Sequence, residues 1–231
     1  MKKFKIPHFL TLLVGILITT SCINIYCDCD SSCENESEQN NNQIILQPDS
    51  IEGKDAFIED YPLREYRNSN FGTHPAFQAS AWTAQSIPFI TRCLIDFDFS
   101  KIPNNATISC AKLILHPAEN TAYGTGHSNR SGSNSFLVQR ITNDWDELSV
   151  TWNNQPSVTT NSQAQVGENE NSMLVYEIVI TKLVRDILDN PSESHGLMIR
   201  LATEEYYRRI LFASSDYDDS SKHPKLLIEY N

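Results

Sequence analysis

The chain consists largely of short segments in which apolar and polar residues alternate, separated by turns rich in Gly, Asn, Ser and Pro. In residues 91–103 the alternation places Cys93, Ile95, Phe97 and Phe99 on one face. A period of two is typical of a β-strand with one buried face. Comparable segments follow at residues 106–115, 136–141, 173–179, 196–201 and 224–230. The series predicts an all-β domain.

One segment has helical spacing instead. The apolar residues within 182–188 recur on one side of a helix that begins after Thr181, a typical capping residue, and ends before the Asn-Pro pair at 190–191. Together with the strands, this predicts a jelly-roll β-sandwich with one short helix over one end. A domain of about 180 residues can bury an ample core.

The connections between these segments also carry predictions. We expect residues 91–103 and 106–115 to pair as a hairpin across a Pro-Asn-Asn turn. Residues 119–135 are mostly small and polar, which predicts a long mobile loop of a length that is often functional. Residues 159–171 are predicted to form a second polar loop.

Residues 1–21 are typical of a secretory signal peptide. Three lysines precede an apolar run at residues 9–18, which is too short to favour a membrane-spanning helix of about 20 residues. Small residues then lead to Cys22, an order that resembles the cleavage signal of Gram-negative envelope lipoproteins. This predicts an exported chain anchored to the membrane by lipid on Cys22, with simple secretion as the alternative.

Residues 22–48 are predicted to be a flexible acidic linker, because they hold too few apolar residues to offset the entropy of ordering. The folded domain is then 49–231. An acidic stretch soon after the anchoring cysteine resembles the surface-export signal of Bacteroidota lipoproteins. We therefore expect an outer-membrane lipoprotein exposed at the cell surface.

The net charge of −11 is unevenly distributed along the chain. Residues 1–21 carry +3, residues 22–60 carry −9 and residues 61–231 carry −5. The folded part is thus mildly acidic and shows no basic patch. Nucleic acid is excluded as a partner, because binding it requires a positive surface.

Two of the six cysteines, Cys93 and Cys110, fall in the predicted domain. In an oxidising compartment they form one disulfide, or they remain as buried thiols on separate faces. Both alternatives are compatible with the alternation of apolar and polar residues in these strands.

Residues 143–156 read Asn-Asp-Trp-Asp-Glu-Leu-Ser-Val-Thr-Trp-Asn-Asn-Gln-Pro and are the most distinctive stretch of the chain. Two turns rich in short polar side chains enclose a brief Val-Thr strand. Trp145 and Trp152 are predicted to be core and corner residues rather than ligand contacts.

The pattern W-x-E-x-x-V-T-W-N-N-Q-P in this stretch resembles the signature of the DNRLRE-domain family, β-sandwich modules of secreted bacterial proteins classed with carbohydrate-binding modules. Residues 91–103, 106–115 and 211–216 resemble further segments of that family in the same order. The resemblance spans residues 51–230. It implies carbohydrate binding, with acidic polysaccharides such as alginate among the ligands of relatives.

We predict that the protein is not an enzyme. Asp144, Asp146 and Glu147 lie in one turn, whereas glycoside hydrolysis needs two carboxyls about 5–10 Å apart across a bond. Carboxylates in such a turn commonly accept backbone hydrogen bonds or bind calcium. No cofactor is predicted, and calcium at this rim is the one candidate.

Sugars are bound by aromatic rings and by planar polar groups, and arginine pairs with the carboxylates of uronic acids. The candidate ligand-binding residues are Tyr66, Arg67, Arg92, Tyr123, Arg140 and Arg200, with Trp82, Tyr206 and Tyr207 as further aromatic candidates. Arg140 shares its strand face with Val138, which is equally compatible with a buried ion pair.

The sequence therefore predicts a lipid-anchored envelope protein that binds polysaccharide or another glycan. The first alternative is a structural or adhesive surface protein that contacts other proteins. A polysaccharide-degrading enzyme ranks lower, because no catalytic motif is present.

Overall fold

The computed structural model of the protein describes residues 33, 42–48, 53–63 and 65–231. Within these residues it has one α-helix, α1 (Thr181–Asp189), a few single-turn 3-10 helices and twelve strands: β1 (Asn42–Leu46), β2 (Gly53–Asp60), β3 (Ala76–Ala84), β4 (Ile87–Phe97), β5 (Ile108–Leu115), β6 (Ser128–Asn129), β7 (Phe136–Ile141), β8 (Val158–Val166), β9 (Tyr176–Val179), β10 (Leu197–Leu201), β11 (Arg208–Ala213) and β12 (Lys225–Tyr230).

The strands form two antiparallel sheets. The smaller has the order β1-β12-β5-β9, and the larger has the order β6-β11-β3-β4-β10-β7-β8 with β2 also paired to β4. This confirms the predicted all-β sandwich with one short helix. No helix among the described residues is long and apolar enough to cross a membrane. The predicted leader and Cys22 lie outside the described residues.

Strand β4 is the centre of the larger sheet. Thr91 pairs with both Glu59 of β2 and Ser80 of β3, and Cys93 pairs with both β2 and β10. A strand has only two edges, so β2 occupies one edge of β4 while β3 and β10 follow each other along the other.

The predicted alternation of β4 is confirmed by packing. Cys93, Ile95 and Phe97 are buried in the main core, together with residues of the smaller sheet and α1. Leu94 points to the opposite face and joins a second, smaller core cluster. Both faces of the larger sheet are therefore covered where the signature stretch packs.

The predicted hairpin between β4 and β5 is wrong. β5 pairs with β12 and β9 in the smaller sheet, whereas β4 stays in the larger sheet. Because β2, β3 and β10 already fill both edges of β4, the chain crosses to the other sheet after residue 97.

The two predicted loops are more structured than expected. Within residues 119–135, β6 pairs with β11, and His127 is buried. Within residues 159–171, the stretch 159–166 belongs to β8, which pairs with β7. β8 is an edge strand with mostly exposed polar side chains, so it lacks the apolar alternation that marks a buried strand.

The helix lies where it was predicted, and its apolar residues Leu183, Val184 and Ile187 are buried. Thr181 is not its cap, however. The Thr181 hydroxyl instead accepts a hydrogen bond from the backbone N–H of Ala111 at 3.1 Å, which ties the start of α1 to β5.

The cysteines differ from both predicted alternatives. Cys110 forms a disulfide with Cys33, while Cys93 is a free, fully buried thiol. Cys33 and β1 both lie within the range predicted to be a linker, residues 22–48. The sheet therefore extends upstream of the predicted domain boundary at residue 49.

Candidate functional site

The signature stretch packs on the outer face of the larger sheet. Trp145 is 6% exposed and belongs to the second core cluster with Ile58 and Leu94. Its indole N–H donates to the carbonyl of His195 at 2.8 Å, and the Lys54 ammonium lies 4.5 Å from the ring centre. Trp145 is thus a core residue, as predicted.

Two of the three carboxylates of this turn accept hydrogen bonds from backbone N–H groups. Glu147 Oε1 accepts from the N–H of Asp55 at 2.8 Å, and Asp144 Oδ1 accepts from the N–H of Trp145 at 2.9 Å. Among the described residues, no group of three His, Cys, Asp or Glu side chains is arranged to hold a metal ion. Calcium at this rim stays a prediction.

Arg92 lies on the outer face of β4. Its Nε and Nη2 donate to the two carboxylate oxygens of Glu204 at 2.7 and 2.9 Å, and Nη1 donates to Gln155 Oε1 at 2.8 Å. The guanidinium stacks 4.6 Å from the ring centre of Trp152. Arg200 shares this outer face and donates to Gln139 Oε1 at 3.0 Å.

Arg140 and Arg67 already have carboxylate partners. Arg140 is 5% exposed, and its Nε donates to Asp186 Oδ2 at 2.9 Å. Its Nη1 donates to the carbonyl of Glu193 at 2.6 Å, so the buried ion pair accounts for this residue and removes it from the ligand candidates. Arg67 is exposed and forms an ion pair with Asp60.

On the opposite face of β4, a cavity of about 310 Å³ opens between β2, the β3–β4 hairpin, two loops and β11. Its volume is at the lower end of the range for small-molecule pockets. The lining combines five aromatic rings with several polar side chains: Glu59, Tyr61, Tyr66, Gln78, Ser80, Trp82, Thr83, Ala84, Phe89, Ala122, Tyr123 and Arg209. We call this cavity the aromatic pocket.

Three buried polar side chains line the aromatic pocket, and two of them, Glu59 and Gln78, could contact a ligand. Glu59 accepts a hydrogen bond from the Tyr123 hydroxyl at 2.9 Å, and burial raises the pKa of its carboxyl. Gln78 is 1% exposed, and its Nε2 has no hydrogen-bond partner among the described residues. A buried donor without a partner is costly, so a ligand that accepts from Gln78 would satisfy it.

Arg209 supplies the positive charge of the aromatic pocket. Its Nε, Nη2 and Nη1 donate to the carbonyls of Gly126 at 3.0 Å, Thr125 at 3.2 Å and Tyr123, respectively. It makes no salt bridge with any described residue. A guanidinium has five N–H groups, and three of them make these hydrogen bonds. One N–H therefore remains on each terminal nitrogen, and the two together can donate to the two oxygens of a carboxylate. Its charge lies 5.5 Å from the ring centre of Trp82.

A two-residue turn places Trp82 in the aromatic pocket. Gln85 and Ser86 both have positive φ, 52° and 66°, and join β3 to β4 so that Trp82 lies opposite Phe89. Such turns usually contain Asn-Gly or Asp-Gly. Because Gln-Ser carries no such signal, the sequence did not predict this hairpin.

The structure brings together only part of the predicted set. Tyr66 and Tyr123 line the aromatic pocket, as does the further candidate Trp82. Arg92 and Arg200 lie on the opposite face of the sheet. The sequence analysis missed Glu59, Gln78, Phe89 and Arg209. The one available signal was that Glu59, an acid, lies on the same strand face as the core residue Phe57.

A β-sandwich that presents a pocket of aromatic rings and planar polar groups has the construction of a carbohydrate-binding module. The chain belongs to carbohydrate-binding module family 96, whose family model matches residues 49–230. Modules of this kind are typically non-catalytic. A search of curated proteins finds no match.

Proposed function

We propose that the aromatic pocket is the carbohydrate-binding site and that its ligand is an acidic polysaccharide. The observation that supports this most directly is Arg209, a half-buried cation that is held in place by three backbone carbonyls and has no acidic partner among the described residues. In an aromatic-lined pocket, such a group matches the carboxylate of a uronic acid.

The aromatic rings of the pocket fit the remainder of a sugar. Trp82 and Tyr66 are only half-buried, so their rings are accessible to the apolar face of a pyranose. Gln78 and Glu59 add an amide donor and a carboxyl at the base, groups that can pair with hydroxyls. The pocket therefore offers stacking, hydrogen bonding and one charge to a single sugar unit.

The cellular setting is part of the same proposal. Lysines before an apolar run, small residues before Cys22 and the acidic stretch that follows support a lipid-anchored protein of the outer membrane, exposed at the cell surface. Such an anchor would hold the sandwich close to the membrane and free to capture glycan.

Open strand edges favour a second candidate function, adhesion to other proteins. β1 ends the smaller sheet and β8 ends the larger one among the described strands, and Ile45 on β1 is 55% exposed. Exposed strand edges are templates for pairing with another chain.

Affinity electrophoresis of the chain from Ile23 onward, in gels containing alginate, pectate or a neutral glucan, tests the proposal. We expect an acidic polysaccharide to retard the wild type and not Trp82→Ala. In Arg209→Lys the affinity should fall about tenfold or more, because lysine keeps the charge but lacks the paired N–H donors of the guanidinium. Arg92→Ala is the matched control on the opposite face and should bind normally.

The opposite pattern would overturn the assignment. If Arg92→Ala abolishes retardation while Trp82→Ala preserves it, the ligand binds the outer face of β4. If only the neutral glucan retards the protein, the acidic class is wrong. If no polysaccharide retards a folded protein, adhesion becomes the leading candidate.

A further inference from the structure

We propose that the aromatic pocket continues into a second carbohydrate subsite formed by Tyr207 and Arg130, so that the domain binds a run of sugars within a chain. The inference rests on the proposed function, because Trp82 borders both the pocket and the new subsite. We call Tyr207 and Arg130 the outer subsite.

Tyr207 is presented to solvent by an unfavourable backbone conformation. Its φ is +67°, and its side chain is 38% exposed. Its backbone N–H donates to the carbonyl of Ala81 at 2.8 Å, which holds the residue against β3. A non-glycine residue in this region persists only when neighbouring structure enforces it, and such positions cluster at functional sites.

The outer subsite is continuous with the aromatic pocket through Trp82. The ring of Tyr207 packs edge-to-face against Trp82, with ring centres 5.2 Å apart. The Arg209 guanidinium contacts the same indole from within the pocket at 5.5 Å. One aromatic surface therefore runs from the pocket to the exterior.

The chemistry of the pocket is repeated in the outer subsite. Arg130 is exposed, lies 5.7 Å from the ring centre of Tyr207 and makes no salt bridge with any described residue. Each subsite thus combines one aromatic ring with one arginine that makes no salt bridge within the part of the chain that the structure describes: Trp82 with Arg209, and Tyr207 with Arg130. Two such units side by side fit a polymer whose acidic sugar repeats.

Calorimetric titration with a disaccharide and a hexasaccharide of the same uronate polymer tests this inference. In Tyr207→Gly we expect the hexasaccharide to bind about tenfold more weakly while disaccharide affinity is unchanged. Glycine adopts positive φ freely, and this relief of strain opposes the loss of packing against Trp82, so the melting temperature should fall by only a few degrees. The neighbouring exposed Tyr206→Ala is the control and should leave both affinities unchanged.

Arg130→Ala provides a second variant that alters only an exposed cation, in case Tyr207→Gly fails to fold. It should weaken hexasaccharide binding selectively and reduce its dependence on salt. Hexasaccharide affinity at the wild-type level in both variants would overturn the outer subsite, while loss of disaccharide binding in Trp82→Ala would still support the pocket. Failure of the wild type to bind either saccharide would overturn the proposed function itself.

Discussion

At the scale of single residues, two buried ionisable groups respond to pH in opposite directions. Asp55 is 1% exposed, its Oδ2 accepts from the N–H of Ser215 at 2.7 Å, and burial raises its pKa to about 7. His127 accepts from the N–H of Leu211 at Nδ1 and donates from Nε2 to the carbonyl of Leu174. Burial lowers the pKa of His127 to about 4, so it stays neutral.

These two pKa shifts make the free energy of unfolding change with pH in opposite directions. Between pH 3.8 and about 7, folded Asp55 holds a proton that the unfolded chain releases, so the free energy of unfolding falls as pH rises through this window. Between pH 6.5 and about 4, His127 binds a proton in the unfolded chain but stays neutral in the folded one. The free energy of unfolding therefore decreases as pH falls through this window.

The variant Asp55→Asn removes the pH dependence that comes from Asp55 and leaves that of His127 in place. The amide can still accept from Ser215 and stays neutral at every pH. At about pH 8 we expect the variant to be more stable than the wild type by at least about 1.4 kcal/mol, with the difference disappearing near pH 4. Urea unfolding across this range measures it. Parallel stability curves for the two proteins would show that the carboxyl titrates at its ordinary value.

At the scale of elements, the loop before β3 is locked against the signature turn. Asn70 Nδ2 donates to the carbonyls of Glu147 at 2.7 Å and Val150 at 2.9 Å. Gly72 packs so closely that an added Cβ would lie 2.1 Å from the carbonyl oxygen of Glu147. Here glycine is required by the close approach of two backbones rather than by its φ.

Gly72→Ala should therefore destabilise the domain. The methyl group would force the loop and the signature turn apart, at a cost of about 1–3 kcal/mol. Thr73→Ala, at the next and exposed position, is the matched control and should stay within about 0.5 kcal/mol of the wild type. Chemical denaturation of the three proteins gives the comparison, and equal midpoints would contradict the packing described here.

At the scale of the whole molecule, the disulfide ties the N-terminal part of the chain to the smaller sheet. Cys33 and Cys110 are 77 residues apart in the sequence, so the bond closes a long loop. Long loops lose the most entropy in the unfolded state when they are closed. The N-terminal segment is thus attached to the sandwich at β5 as well as through β1.

Removing this bond should cost up to about 4 kcal/mol. We expect a reductant to lower the melting temperature of the wild type, and the double variant Cys33→Ser/Cys110→Ser to melt at the lowered temperature with or without reductant. Cys93 is retained in both proteins, so its buried thiol does not contribute to the difference. A wild type that is insensitive to the reductant, with the bond shown to be cleaved, would contradict the expectation.

The fold class, the two faces of β4, the position of the helix and the burial of Trp145 were all predictable from the amino-acid sequence. These are local properties, because side-chain parity follows from the period of the strand or helix. Two of the ligand-binding residues that the sequence predicts, Tyr66 and Tyr123, line the aromatic pocket.

Three features follow from the folded arrangement and not from local sequence: the strands that lie beside β4, the cysteine that bonds to Cys110 and the location of the aromatic pocket. Strand pairing depends on which edges remain free after the whole chain has folded, and alternation does not encode this. The pocket is built from four separate stretches of the chain, within residues 59–66, 78–89 and 122–123 and at Arg209. Arg209 therefore became a binding candidate only once the fold placed it beside Trp82, with no acidic partner among the residues described.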